Sequence, residues 1–456
     1  MGKLRTIILA AGYGKRMKSK LPKVLHKVSG MPMIQHVVDL AKSIDSDEVI
    51  CVVGHGKEMV ESTLAGQNLL FVEQKVQLGT GHAVMSAESF IDEGDVLVLF
   101  GDAPLLSEKT LRDFIEHHRQ GQFQASLIST IFPDPTGYGR IVRNASNEFV
   151  KITEHKDADA SVIEIKEVNS GIGIFSAPAL KKALSSLRND NSQGEYYLTD
   201  AFEAIHHQGG KISAFVTHDP TEVMGVNDRL ALAEAEKYHQ DRIKRHWMLE
   251  GVTMVMPETI YIEKNVVIGQ DTIIEQGTKL KGKTVIGEEC FIGPSADIAD
   301  SLIQNKVKIK YSTVMESSID ENSVVGPYAY LRPKSIVGKD VKIGDFVEVK
   351  NSTIGDGTKI SHLTYVGDGK IGKNVNLGCG VVFVNYDGSN KFLTEIEDDV
   401  FVGCNTNLIA PVKVGKNAYV AAGSTITDDV PEGALAIARE RQVNKTDWSN
   451  KYQKNK

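Results

Sequence analysis

Three places in the 456-residue sequence carry residue types whose spacing could do chemistry. The first is Leu9-Ala-Ala-Gly-Tyr-Gly-Lys-Arg-Met17, with Leu21-Pro-Lys23 following. Gly12 and Gly14 let backbone N–H groups approach a phosphate closely, and Arg16 and Lys23 add fixed positive charge. The run is not a Walker A motif, since no Gly-Lys-Ser/Thr follows, and Met17 prevents it from completing GxGxxG. The second place is Gly101-Asp102, directly after the apolar run Val96 to Phe100. An Asp there can simply cap the next helix. Opposite a phosphate loop it is a candidate Mg²⁺ ligand, because Mg²⁺ takes one or two protein oxygens alongside substrate phosphates. The third is His362: 12 of the 13 histidines lie at or before His246, so it stands alone in the second half. One histidine cannot make a three-histidine zinc site. A neutral imidazole does suit general-base work near pH 7.

Two kinds of element must position these residues. Thr6 to Ala10, Glu48 to Val53, Val96 to Phe100 and Ala125 to Thr130 read as buried strands alternating with helices. That alternation predicts a Rossmann-like α/β domain with a mostly parallel sheet over residues 1–227, with ligands beyond the carboxyl ends of its strands. From Asp228 to Glu250 there is no Gly or Pro, and Ala, Leu, Glu, Lys and Arg dominate before Gly251. A long linker helix is predicted over 228–251, a solvated arm between two halves.

The second half, 252–456, repeats with a period of six. An aliphatic residue falls at Ile268, Ile274, Leu280, Ile286, Ile292 and Ile298, and again at Val325, Leu331, Val337, Ile343 and Val349. After single-residue slips it returns at Ile354, Ile360 and Val366, at Ile371 and Leu377, and in an unbroken run from Ile396 through Val402, Leu408, Val414 and Val420 to Ile426. Neither a helix of period 3.6 nor a strand of period 2 generates this pattern. Short strands forming the faces of a prism do, three to a coil, as in hexapeptide β-helices. The polar stretch Asn385-Tyr-Asp-Gly-Ser-Asn-Lys391 breaks the period, and such insertions commonly lie on the binding face.

Bulk properties narrow the function. The net charge of −7 argues against general nucleic-acid binding and leaves small anions as the expected partners. No stretch approaches the ~18 apolar residues of a membrane span, so no stable membrane insertion is expected. The apolar run Thr6 to Ala11 is too short for a secretion signal. Four scattered cysteines read as free thiols in a reducing cytoplasm.

With Arg16 and Pro22-Lys23 attached, the first run resembles the signature of nucleoside-diphosphate-sugar pyrophosphorylases. Ser361-His-Leu-Thr-Tyr-Val-Gly-Asp368 resembles the motif of hexapeptide acetyltransferases. Together with EQKVQLGTGHA, GDAPLL, DPTGYGRI, EHKDA, VNSGI, QGEYYLTD and MGVNDR, these stretches are similar, over essentially the whole chain, to the bifunctional N-acetylglucosamine-1-phosphate uridylyltransferase/glucosamine-1-phosphate acetyltransferase family. The resemblance implies a nucleotidyltransferase domain, a linker helix and a left-handed parallel β-helix. It assigns Leu9, Ala10, Ala11, Gly12 and Lys23 to the nucleotide, Gln74, Gly79 and Thr80 to uracil, and Asp102 and Asn227 to Mg²⁺. Gly139, Glu154, Asn169 and Asn227 fall to the UDP-sugar, with Arg16 and Lys23 neutralising the triphosphate. In the β-helix His362 is implied as general base, with Glu348 orienting the site. Arg332 and Lys350 are implied on the sugar phosphate and Tyr365 and Asn376 around the sugar. Asn385 and Tyr386 are implied around the sugar and, with Cys379, Cys404, Ala422 and Arg439, along acetyl-CoA. Cys379 and Cys404 stand where some relatives carry Ala and Ser. The implied substrates are UTP, glucosamine 1-phosphate, N-acetylglucosamine 1-phosphate and acetyl-CoA, the product feeds cell-envelope polymers, and a homotrimer is expected by analogy. Two other readings remain: another hexose-1-phosphate nucleotidyltransferase with a merely structural β-helix, and a non-catalytic regulatory subunit. His362 with the polar loop speaks against the first, and the phosphate loop with Asp102 and Asn227 against the second.

Overall fold

A computed structural model describes residues 2–452. Internal contacts divide the chain into two compact units, Met1–Asp241 and Arg242–Lys456.

The first unit is built on one sheet. Its strands run in the order Ile212–Val216, Ala125–Ile131, Glu167–Ser176, Asp95–Phe100, Leu4–Ala10, Glu48–Val53 and Leu70–Glu73. Leu4–Ala10 is buried along its whole length and pairs in parallel with both neighbours. Its side chains alternate between two cores, Leu4, Ile8 and Ala10 on one face and Ile7 and Leu9 on the other. A continuous apolar strand is what burial on both faces demands. The mostly parallel sheet departs from this at Glu167–Ser176, which runs antiparallel to both neighbours with an irregularity between Asn169 and Gly173, and at the antiparallel pair Arg140–Arg143 and Phe149–Thr153 joined to it. The strand ends that precede Gly12, Gly54, Gln74 and Asp102 all open on the same edge, as parallel pairing requires.

Arg229–Leu249 is helical, as its composition predicts. Asp228 Oδ1 accepts the backbone N–H of Leu230 and Ala231 at its start, and Gly251, at φ 92°, supplies the left-handed terminus. It is less of a solvated arm than its composition suggests. In its first half Ala235 joins a small core with Val28, Met33, Leu105 and Val226. The Glu236 carboxylate accepts the Ser29 backbone N–H at 2.7 Å, and Gln240 donates to Ser29 Oγ at 3.0 Å. In its last turns Ile243 and Trp247 pack on the β-helix core. The interior of a charged, low-periodicity helix thus still finds enough small and amphipathic side chains to bury on each unit.

The second unit is a parallel β-helix with three sheets of 11, 10 and 9 strands. Three short strands per coil, stacked in parallel register, match a left-handed β-helix. Every aliphatic position of the six-residue repeat is buried. The gap between Ile298 and Val325 is filled by Ile303, Ile309, Val314 and Ile319 at five- and six-residue spacing, so the coil continues where the strict period lapses. Burying each such side chain contributes about 1.5–3 kcal/mol. Beside them, buried hydroxyls satisfy backbone carbonyls across coils, as in Thr272 Oγ1 to Gly287 O and Thr358 Oγ1 to Gly372 O, both 2.8 Å. The polar loop after Val382–Val384 leaves the coil and is tied by its own turn: Asp387 Oδ1 accepts the Ser389 and Asn390 N–H groups, and Phe392 N–H donates to Asn385 O at 2.9 Å.

Two candidate catalytic sites

In the first unit the loop after Leu4–Ala10 is shaped by Gly14. It sits at φ 59°, and a Cβ there would lie 2.7 Å from Lys23 Cβ, so the turn and the following Lys23 can meet only over a glycine. Lys23 forms an ion pair with Asp102, and its Nζ also donates to Asn227 Oδ1 at 3.2 Å. Asn227 reaches this point because the Val226 N–H donates to the Asp102 carbonyl at 2.9 Å. Three residues from distant parts of the sequence thereby place one ammonium and two oxygen donors together.

Two cavities meet there. One, of ≈ 290 Å³, is lined by Leu9, Ala10, Ala11, Gly12, Gln74, Gly79 and Thr80, with Lys23 and Asp102 at its inner end. The other, of ≈ 320 Å³, shares Lys23, Thr80, Phe100 and Asp102 and adds Gly139, Glu154, Asn169 and Asn227. Gln74 is buried, and its amide nitrogen is held by the Gly79 carbonyl at 3.1 Å and His82 Nδ1 at 3.0 Å. Thr80 Oγ1 accepts the Leu198 N–H at 3.0 Å. Gly139 lies against Glu154, whose carboxyl accepts from Thr199 Oγ1 at 3.2 Å; burial holds that carboxyl above the usual range. Asn169 donates its N–H to Gly139 O at 2.8 Å, fixing it beside the same wall. Arg16, by contrast, stands exposed on the short turn Lys15–Met17, outside the lining of both cavities. Gln77, Glu195, Tyr138 and Thr199 line the cavities without having been singled out from sequence. Each lies within a stretch that carries the resemblance, which was the signal for them. The donor set fits a hard divalent cation held jointly with phosphates. Two protein oxygens converge where a cation already sits, and no cluster of three or more His, Cys, Asp or Glu suited to a metal exists among the described residues.

On the β-helix the coil register stacks residues far apart in sequence. Asp345 pairs with His362, Leu377 with Val402, and Val402 with Val420. Extended through the turns, this puts Asp345, His362, Cys379, Cys404 and Ala422 in one column. Asn405 N–H donates to Cys379 O and Gly423 N–H to Cys404 O, both at 2.8 Å. Arg439 closes the column, its Cδ 3.7 Å from the point where a Cβ of Gly423 would lie. His362 Nδ1 bonds Asp345 Oδ1 at 2.5 Å, which holds the Asp345 carboxyl below its usual range. A carboxylate only accepts, so Nδ1 carries the proton, and in the neutral ring Nε2 then holds the lone pair. Asp345 was missed in the sequence; the signal is its place one coil before His362.

A second group lies on the next face. Arg332 Nη1 donates to Glu348 Oε1 at 2.8 Å, Lys350 Nζ lies 3.3 Å from Asp368 Oδ2, and Asn385 Nδ2 donates to the same oxygen at 2.5 Å. Tyr365 follows Glu348 in register, and its hydroxyl and the Asn385 amide crowd Gly367, where a Cβ would come within 2.5 and 2.7 Å. Lys391, from the polar loop, is pushed below the ordinary lysine range by the Lys350 ammonium beside it. Holding like charges together suits an anion. Asp368 and Lys391 were not picked from sequence. Asn376 lies in the same sheet as His362, one coil on from Lys359, and Tyr386 is exposed on the loop. Among the described residues, no hydrogen bond links the His362 column to the Arg332–Lys350 group.

Comparison with known proteins gives the family of each half of the chain. Residues 6–160 match the MobA-like NTP transferase domain, 245–349 the EIF2B subunit epsilon LbH domain, and 393–428 the bacterial transferase hexapeptide (six repeats). The chain is 55% identical to the Bifunctional protein GlmU of Caldanaerobacter subterraneus subsp. tengcongensis over 98% of each chain. It is 50% identical to that of Brevibacillus brevis, over 99% of this chain and 98% of the relative, and 52% to that of Acetivibrio thermocellus, over 98% and 97%. No described helix is long and apolar enough to cross a membrane. The chain belongs to the GlmU family of bifunctional proteins, with a nucleotidyltransferase domain followed by hexapeptide repeats.

Proposed function

We propose that this protein makes UDP-N-acetylglucosamine by two reactions at separate sites. The region 252–456 acetylates glucosamine 1-phosphate from acetyl-CoA. The region 1–227 then transfers uridylyl from UTP to the resulting N-acetylglucosamine 1-phosphate, releasing pyrophosphate, with 228–251 as the linker between them. The observation that carries this reading is that the residues assigned to each reaction converge separately. Lys23, Asp102 and Asn227 meet between two cavities in one unit, and His362 on Asp345 begins a column in the other.

In the first cleft the uracil rests against Gln74, Gly79 and Thr80. The fixed amide nitrogen of Gln74 leaves its carbonyl oxygen as the acceptor for the base's imide N–H. Backbone N–H groups around Gly12 cradle the triphosphate, while Arg16, exposed on its turn, folds onto the outer phosphates. Gly139, Glu154 and Asn169 hold the sugar in the adjoining cavity, so that its phosphate oxygen attacks the α-phosphate in line. Asp102 and Asn227 hold Mg²⁺, which would neutralise phosphate charge when bound. Lys23, between them, supplies fixed positive charge to the same phosphates.

On the β-helix, Arg332, Lys350 and Lys391 bind the sugar phosphate, with Glu348, Tyr365, Asn376, Asn385 and Tyr386 around the sugar. His362 Nε2 takes a proton from the glucosamine ammonium, and the free amine attacks the thioester carbonyl. The tetrahedral intermediate loses a second proton from its nitrogen and collapses with release of coenzyme A; one of the two protons goes to the thiolate sulfur and the other to solvent. The column Cys379, Cys404, Ala422 with Arg439 runs along acetyl-CoA, the arginine toward its phosphates. The exposed side chains of His362, Asp345, Arg332 and Glu348 support a homotrimer whose neighbouring β-helix completes each site. The reduced thiols support a cytoplasmic setting.

The test supplies glucosamine 1-phosphate, acetyl-CoA, UTP and Mg²⁺ and looks for UDP-N-acetylglucosamine. Its absence overturns the reading.

A further inference from the structure

Two of the four cysteines are closed to chemistry. Cys51 and Cys290 are buried, and burial pushes the Cys51 thiol up to about 12 and raises that of Cys290. Cys379 is half-buried and Cys404 exposed, and both are free thiols. They occupy equivalent turns of successive coils. Leu377 pairs with Val402, Gly378 N–H donates to Val402 O at 2.8 Å, and Asn405 N–H donates to Cys379 O at the same distance. The two turns touch backbone to backbone: a Cβ on Gly378 would lie 2.6 Å from Cys404 N. Gly380 and Asn405, the next residue of each turn, share the left-handed conformation, at φ 75° and 54°. Neighbouring parallel strands stand about 4.8 Å apart. That spacing lies inside the roughly 4.4–6.8 Å Cα range that a disulfide spans. The pair begins one coil from His362, on the column that carries the acetyl-CoA path in the reading above.

We infer that Cys379 and Cys404 form a vicinal dithiol that takes small-molecule disulfides and closes to an intramolecular disulfide, gating acetyl transfer alone. The step balances without any further reagent. The thiolate of one cysteine attacks a disulfide RSSR, forming a mixed disulfide and releasing RS⁻. The thiolate of the other attacks the protein sulfur of that mixed disulfide, forming Cys379–Cys404 and releasing the second RS⁻. Two protein thiols are oxidised, RSSR is reduced to two RSH, and the two protons pass from protein to RSH. Closure ties together two turns beside His362 and removes the surface along which acetyl-CoA lies. The uridylyl site, in the other unit, is untouched. The gating rests on the reading of that column as the acetyl-CoA path; formation of the disulfide does not.

The full chain is incubated with oxidised glutathione, quenched with acid, digested without reductant and mapped by mass spectrometry, with both activities assayed in parallel. The expected result is a linked peptide pair containing Cys379 and Cys404, loss of acetyl transfer, retained uridylyl transfer, and full recovery with dithiothreitol. Cys404→Ser, folded by the criterion of an unchanged circular-dichroism spectrum and thermal unfolding profile of the full chain, is expected to stop at a glutathione adduct on Cys379. Adducts without the Cys379–Cys404 link in the unsubstituted protein overturn the dithiol. A linked pair with acetyl transfer intact overturns the gate and identifies the acetyl-CoA path as the part that failed.

Discussion

In the N-terminal cleft the polar groups are sunk into the protein: Gln74, Asp102 and Asn169 are 3%, 8% and 7% exposed. On the β-helix, the His362 side chain is 57% exposed and that of Asp345 36%. The difference follows from how each scaffold makes a surface concave. A twisted sheet with helices on both faces opens a crevice at its strand ends, so one chain can desolvate a ligand from several sides. A prism face is flat, and its side chains point outward in rows. Its polar groups therefore stay open to solvent on the side away from the coil. The cleft encloses its polar groups, whereas the β-helix face leaves His362 and Asp345 in solvent.

If the two sites are independent, each can be removed without the other. His362→Ala is expected to lower acetyl transfer by ~10²–10⁴-fold, the usual contribution of a positioned acid–base group. Uridylyl transfer should stay unchanged. Asp102→Asn is expected to lower uridylyl transfer by ~10²–10³-fold, as for loss of one preorganised electrostatic partner, and to leave acetyl transfer intact. Both activities are measured on both variants. A substitution that depresses the two equally breaks the comparison.

Asp345 sharpens the comparison within the β-helix. Through its bond to His362 it is expected to position the imidazole. Asp345→Asn leaves the imidazole free to take the wrong tautomer and is expected to lower kcat for acetyl transfer by ~10- to 100-fold, the range for losing one charge-assisted hydrogen bond. The KM for acetyl-CoA should be unchanged, and Asp345→Glu should recover part of the rate. A rise in KM without a fall in kcat would show a merely structural role.

The sequence speaks most clearly where one residue type repeats at one spacing. Ile268 through Ile298 and Ile396 through Ile426 predict the coil because every inward position must be aliphatic, and all of them are buried. The same period carries site information that reading motif by motif overlooks. Asp345 bonds His362 across a sequence separation of 17, one coil, and no local pattern marks it. Lys391 was hidden differently: it sits in a loop whose path is set by Asp387 and Asn385, not by periodicity. In the first unit the phosphate loop is legible because glycines and cations are local, whereas the meeting of Lys23 with Asn227 depends on Val226 bonding the Asp102 carbonyl. The antiparallel course of Glu167–Ser176 left no trace, since a strand buried in a sheet looks the same in either direction.

The carboxylates of the two regions also differ in what faces them, and this makes the smallest and most specific prediction. On the β-helix, Asp345 and Asp368 are held below the usual range. His362 is the main favourable partner of Asp345, and for Asp368 the hydrogen bonds from Asn351, Asn385 and Lys350 outweigh burial. Their contribution to stability is present above the unfolded pKa and is lost as pH falls. Next to Thr199, which lines the second cavity of the cleft, the sign reverses. Asp200 is pushed up to about 6, first by burial and then by Glu203, Glu154, Asp157 and Asp190, although it lies in the first turn of the helix Thr199–His207. A raised carboxyl binds its proton more tightly in the folded state. Its stabilisation is full below the unfolded pKa near 4 and is lost as pH climbs through about 6. At pH 7.5 the folded protein therefore carries an ionised group in a site that disfavours it. Each pKa unit is worth ~1.4 kcal/mol, and partial exposure reduces the total to about 1 kcal/mol. Asp200→Asn should raise the first thermal transition at pH 7.5 by ~2–4 °C. The gain should shrink to nothing near pH 4, where the native carboxyl is already neutral. An equal gain at both pH values would mean that packing, not charge, is being relieved.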